Sequence, residues 1–219
     1  MRAGLELWAR DTGRELVLLD DESDPLRATL LHEQLVERGC APVLGPYGSD
    51  STRAVAVARE GAVVWNHGAA ADDVQRLPGV VSVATPASRY LVALARAAVE
   101  LRGRVRVAVL AAGGRFARLA REGLEREAPT LGIELVAEPA QADCVLLCGP
   151  VEWEAERFRE LGESDVIIGG VSPGLPNAPW PDGTLAPVQW HPDLGGPPGL
   201  EDYVAAQAYA AALIAARCL

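Results

Sequence analysis

The 219-residue sequence contains no lysine: all 20 of its basic residues are arginine. That pattern reads as codon bias, and it excludes chemistries that need an ε-amino group, such as Schiff-base catalysis and phosphate loops built on a lysine. There is no basic run either. Acidic residues outnumber basic ones, 30 against 20, so the electrostatic footprint of a nucleic-acid partner is missing. No stretch approaches the roughly 20 apolar residues of a bilayer-spanning helix, and the opening MRAGLELWAR lacks the apolar centre of a secretory signal. As written, the chain is expected in the cytoplasm. Cys40, Cys144, Cys148 and Cys218 show no CxxC spacing and have no nearby histidine pair, so neither a zinc site nor a redox pair is expected, and the thiols read as buried and free. Cys144 and Cys148 share one apolar run, where four residues of strand span roughly 13 Å, beyond disulfide reach. Nothing calls for a cofactor or a metal.

What is present is a globular composition, 49% hydrophobic, sufficient for one large domain or two small ones. Residues 15–20 (ELVLLD) form a short apolar run, and residues 24–38 then show helical spacing at Leu26, Leu30, Leu31, Leu35 and Val36. Asp24 fits an N-cap, Pro25 a first helical position and Gly39 a stop. The alternation continues with strands expected over 41–44, 61–65 and 80–84, then 105–110, 133–137, 144–147 and 166–168. Helices are expected over 52–59, 89–101, 116–127 and 152–161. Strands that are apolar throughout and separated by helices predict an α/β fold with parallel sheets covered on both faces. Residues 169–199 hold eight of the 16 prolines and predict extended loop with one strand at 185–189. The Ala-rich, nearly uncharged stretch 203–218 predicts a buried helix returning to the first half of the chain.

The stretch 45–51 (GPYGSDS) lies between an apolar run and a helical pattern. Gly45 and Gly48 permit backbone conformations closed to other residues, and Ser49, Asp50 and Ser51 are all good N-caps. A turn of this kind at a helix start can hold a carboxylate. It also suits an ordinary capped helix after a strand.

Several of these patterns, in order, resemble the type I periplasmic-binding-protein family, in particular the branched-chain amino acid and amide receptors of ABC transporters. Residues 4–8 resemble its first helix, Gly13 and Arg14 with 20–25 (DDESDP) its "GR…DD.SDP" segment, and 45–51 its "GP..S" motif. Residues 66–70 (NHGAA) sit where the family has the loop after its fourth strand, 85–90 (TPASRY) resembles the first interlobe crossing, and 203–212 the "Y.AAQAYAA" helix. The resemblance implies two Rossmann-like lobes, the first from residues 1–86 and 186–219 and the second from 87–185, with a small ligand in the cleft between them. It also implies a substrate-binding role beside an ABC permease. The family's chains begin with a signal peptide and a strand, whereas this sequence starts within the following helix and stops after the Ala-rich one. Lobe one is therefore expected to lack its usual first strand, which leaves unpaired edges open to self-association. If the start is truncated, the expected compartment becomes the periplasm or the extracellular space.

By the same resemblance Ser49 and Ser51 match the positions that hold a ligand carboxylate, and Tyr47 walls the cleft; simple capping by the serines and packing of Tyr47 on the sheet edge stand beside this. Asn66, His67, Gly68 and Ala69 form the next contact loop. With Ala69 and Ala70 where a hydroxyl is usual, backbone contacts are expected there, and His67 serves either as a ligand contact or as a turn residue. Phe116 occupies the place of an aromatic lid, and Val171 and Ser172 follow a strand that ends at the cleft. The acid that usually meets a ligand ammonium is missing from 171–174, and Glu152 reads as a helix start. An amino acid or an amide is the expected ligand. A Cys148 nucleophile with His191 as base lacks an elbow motif and an orienting acid, so no enzyme is expected. A cytoplasmic sensor of the same fold is the alternative to a transport component.

Overall fold

Asp24 and Pro25 start a helix as their chemistry demands. In a computed structural model of the chain, which describes residues 1–59, 61–162, 165–174 and 180–219, the Asp24 carboxylate accepts a 2.8 Å hydrogen bond from the Arg27 N–H. The chain divides into two units, residues 1–85 with 189–219, and residues 86–188.

The first unit opens with helix α1 (Arg2–Thr12), which ends at Gly13 in the left-handed conformation, φ 66°. Helices α2 (Pro25–Glu37) and α3 (Ser49–Ala58) pack against each other. Strand β1 (Val64–Asn66), the short helix α4 (Asp72–Gln75) and strand β2 (Val80–Ser82) follow, and the two strands pair in parallel with Val64 opposite Val80. Two expected strands do not form. Residues 15–20 run without turn, bend or ladder, and of 41–44 only Leu44 makes a bridge, to Trp65. Apolar character alone does not make a strand: the ladder needs a partner edge, and neither run has one along its length.

The second unit contains α5 (Tyr90–Arg102), β3 (Arg106–Ala111), α6 (Arg115–Leu131), β4 (Glu134–Val136), β5 (Cys144–Cys148), α7 (Val151–Leu161) and β6 (Ile167–Gly170). Its sheet is parallel throughout, in the order β4-β3-β5-β6. The two-residue period of a strand sorts the side chains of β5. Cys144, Leu146 and Cys148 pack with α5 and α6, whereas Val145 and Leu147 pack with Phe158 of α7. Both faces are covered, which explains why β5 is apolar at every position. In place of a strand over 185–189, Leu185 makes a single bridge to Gly169; within the expected loop, residues 175–179 lie outside the described ones.

The chain returns to the first unit as α8 (Tyr203–Arg217), capped by the Asp202 carboxylate, which accepts from the Ala205 N–H at 2.7 Å. It packs on α1 through small residues. A Cβ added at Gly4 would lie 2.0 Å from the Ala205 carbonyl oxygen, so glycine is what lets the two helices approach so closely. Among the described residues no helix is long and apolar enough to cross a membrane.

Candidate functional site

The 45–51 turn is held from three sides, all within the first unit. The Gly45 N–H donates to the Trp65 carbonyl at 2.9 Å. Thr52, fully buried, donates its hydroxyl to the Pro46 carbonyl at 3.0 Å. Ser49 accepts a 3.1 Å hydrogen bond at Oγ from the Ala71 N–H, which ties the start of α3 to the 66–71 loop. An ion pair between Arg53 and Asp73 joins α3 to α4 beside it.

Asn66 shapes that loop. Its Oδ1 accepts from the Gly68 and Ala69 N–H groups at 3.1 and 2.7 Å, and its Nδ2 donates to the Ala69 carbonyl and the Ser82 hydroxyl, each at 2.8 Å. Gln75 adds donations to the Ala69 and Ala84 carbonyls at 2.9 and 3.1 Å. With no exposed surface, Asn66 is a scaffold for the loop. Gly68 is needed because the ring of Tyr47 lies over it.

Of the residues the sequence singles out, Tyr47, Ser49, Ser51, Asn66, His67, Gly68 and Ala69 come together around this turn. The capping expectation is corrected. The N-cap of α3 is Gly48, and no side chain caps the helix, because the Ser49 hydroxyl accepts from Ala71 instead and Ser51 lies inside the first turn, buried. The helix therefore begins at Ser49 rather than residue 52, and its N-cap glycine brings no side-chain acceptor to the first turn, an arrangement that favours an anion. His67 lends this site no charge. It is buried, and burial pushes its pKa down to about 4 against the upward pull of the Trp65 backbone. Burial, and then Asp202, raises the Tyr47 pKa, so its phenol stays a neutral donor. Trp65 is core, as expected.

Phe116, Val171 and Ser172 belong to the second unit. Phe116 meets Tyr90 edge-on, ring centres 5.2 Å apart, and Val171 packs on the α5–α6 side of the sheet. Ser172 is buried; its hydroxyl donates to the Gly149 carbonyl at 3.3 Å. The buried acid of this region is Glu154, which sequence reading passed over, weighing only Glu152 and reading it as a helix start. Fully buried, it accepts from the Gly149 and Ser172 N–H groups, both at 2.8 Å, and so clamps the loops after β5 and β6. Burial raises its pKa against the pull of these hydrogen bonds. A signal existed: in α7 it shares the buried face with Phe158, one turn on, where a charged residue needs a reason. Thr52 and Gln75 gave no such signal.

Cys148 is buried at the end of β5, and burial, then Glu154, pushes its thiol up to about 12, which leaves no thiolate for nucleophilic chemistry. Cys144 and Cys148 are buried free thiols as expected, but Cys40 is half-buried and Cys218 exposed, since both lie beyond the ends of helices.

A family model described as periplasmic binding protein matches residues 1–143. Among solved structures the chain is similar to a leucine binding protein from Thermotoga maritima, at 17% identity over 97% of this chain and 75% of that one, TM-score 0.70. It is also similar to an ABC transporter substrate-binding protein from Desulfitobacterium hafniense, at 15% identity over 96% and 76%, TM-score 0.73. A third is an ABC transporter solute binding protein from R. palustris in complex with 4-hydroxybenzoate, at 15% identity over 97% and 73%, TM-score 0.67. These likenesses establish the fold. Comparison with curated proteins returns no match.

Proposed function

Since this chain belongs to the periplasmic binding protein family, whose members are binding proteins rather than enzymes, we propose that it binds a small amino-acid-like carboxylate as the solute-binding component of an ABC importer. The observation that supports this reading is the start of α3, which carries no side-chain cap and is flanked by Ser49 and Tyr47. The helix N–H groups and the Ser49 hydroxyl hydrogen, whose oxygen is already oriented by Ala71, receive the carboxylate. Tyr47 and the backbone of Gly68 and Ala69 form the wall beside it. Leucine and 4-hydroxybenzoate, the molecules named with two of the similar structures, share a carboxylate and little else, so the carboxylate is the part that this turn selects. The partner is an ABC permease, and the working compartment is the family's, the periplasm.

Thermal shift tests the reading. At 100 times its dissociation constant a ligand stabilises the protein by about 2.7 kcal/mol, a melting rise of roughly 5 to 10 °C for a chain of this size. Leucine or 4-hydroxybenzoate should produce it, and the matching compounds without the carboxylate, isoamylamine and phenol, should not. No shift across a panel of amino acids and aromatic acids would sink the proposal.

A further inference from the structure

The sheet of the second unit is open along half of one strand. β4 pairs only with Arg106–Ala108, which leaves Val109–Ala111 with β5 on one side and, among the described residues, no strand on the other. Successive residues of a parallel strand turn their backbone groups to alternate neighbours. The Val105 carbonyl accepts from the Glu134 N–H and the Arg106 carbonyl from the Asp143 N–H, so the Val109 carbonyl and the Ala111 N–H face the open side. The gap has a cause. β4 and β5 are joined by residues 137–143 alone, with one 3₁₀ turn at Pro139–Gln141, whereas a parallel crossover takes about a dozen residues or more and usually a helix. A cavity of about 420 Å³ lies there, and its wall draws on both faces of the sheet: Arg121 of α6 on one, and Trp153, Arg157, Glu160 and Leu161 of α7 on the other.

The groups on this wall define the occupant. Arg157 lies over the Trp153 ring at 5.9 Å and gives its terminal nitrogens to Glu160 and Glu156 at 2.6 and 3.3 Å, yet its buried Nε has no partner among the described residues. Arg121 commits Nε to Glu125 at 2.9 Å and keeps its terminal nitrogens for another acceptor. With acids beside both guanidiniums a lone anion gains little, and a lone cation meets two arginines; a zwitterion answers both signs. The open backbone asks for the same pair, an acceptor for the Ala111 N–H and a donor for the Val109 carbonyl, and these are the two groups of one amino-acid residue in the row of β4. A longer peptide does not fit, because the preceding place in that row belongs to Ala137, through which the chain leaves β4. The two-residue period fixes the side chain. Val136 packs on the α7 side, so a residue two places further along the row meets Leu110, Trp153 and Leu161. We propose that this edge is a second site, for a free α-amino acid with an apolar side chain, its ammonium on the Val109 carbonyl and Glu160 and its carboxylate on the Ala111 N–H, Arg121 and Arg157. The site lies in the second unit, shares no residue with the carboxylate turn of the first, and does not depend on it.

The test is hydrogen exchange on the full chain, read at the Ala111 amide. The expected result is at least tenfold slower exchange there with millimolar L-leucine, while the Leu110 amide, which faces β5, is unchanged. Isocaproate, which lacks the ammonium, and isoamylamine, which lacks the carboxylate, should not protect Ala111. Arg157→Gln should lose the protection by leucine, and so should Arg121→Gln, an exposed change that leaves folding intact. Ser49→Ala, which weakens the carboxylate turn, should leave the protection of Ala111 unchanged, so the two proposals fail separately. Slow exchange at Ala111 without ligand, no slowing with leucine, or equal slowing with isocaproate would overturn the inference. So would stronger protection by the tripeptide Ala-Leu-Ala than by leucine, since the occupant would then be a peptide strand.

Discussion

The ring of Tyr47 fills the space that a side chain at position 68 would need: a Cβ built on Gly68 would lie 2.2 Å from the ring's Cδ2. Tyr47 is 41% exposed, so it can swing outward, and Gly68→Ala should cost only about 1 kcal/mol, near the low end for overpacking. In a Tyr47→Ala background the same substitution should cost nothing further, because the clash is gone. Urea melts of the two single variants and the double variant give the coupling, and strict additivity would show that the ring does not rest on residue 68.

Gly4→Ala should be worse. There the obstacle is the Ala205 backbone carbonyl, 2.0 Å from the added carbon, and no side chain can step aside. A loss of about 3 kcal/mol is expected, the upper end for overpacking, since α1 and α8 must separate. A melting point within 2 °C of the wild type would contradict this packing.

Acid should destabilise the first unit through His67. Its pKa is depressed from 6.5 to about 4, so the unfolded chain takes up a proton that the folded one resists. The stability from neutral His67 is fully present above pH 6.5 and is lost as the pH falls toward 4, to a total of about 3 kcal/mol at 1.36 kcal/mol per pH unit. His32, also lowered by burial and then by Arg59, acts in the same direction. His67→Phe keeps a flat ring and removes the proton site, so denaturant melts from pH 7 to 4.5 should show a shallower loss than the wild type. Parallel curves would mean that His67 does not titrate as buried.

Ser49→Ala removes the acceptor for the Ala71 N–H and, in the proposed function, one donor to the ligand. The first loss should lower stability by about 1 kcal/mol without ligand. The second is worth about 1.5 to 3 kcal/mol for a hydrogen bond to a charged group and should weaken leucine or 4-hydroxybenzoate ten- to a hundredfold. Calorimetric titration separates them: an unchanged affinity with a lowered melting point would leave Ser49 as a loop tie alone.

Asn66→Ala should be the most damaging change in the candidate site. It leaves the Gly68 and Ala69 N–H groups without the acceptor they share, and unsatisfied buried groups cost about 1 to 3 kcal/mol each. A melting fall of roughly 5 °C or more is expected, and a fall of less than 2 °C would show that the loop holds without Asn66.

What could be read from the sequence was local. Asp24 caps α2 because its carboxylate reaches an N–H three residues on, and Cys144 to Cys148 form a strand whose period and uniform apolarity follow from residues in direct succession. The order of motifs from Gly13 to Tyr203 gave the family, and with it the residues gathered around the 45–51 turn. Only the tertiary structure decided the rest, since each remaining choice depended on a partner distant in the chain. The Ser49 hydroxyl accepts from Ala71, 22 positions away, so it is not the cap that its neighbours suggest. Glu154 is fixed by Ser172, 18 positions on, and this turns an unremarkable helix acid into a buried clamp. Residues 15–20 have the composition of a strand and do not form one, because a strand is a property of two edges and the run supplies only its own.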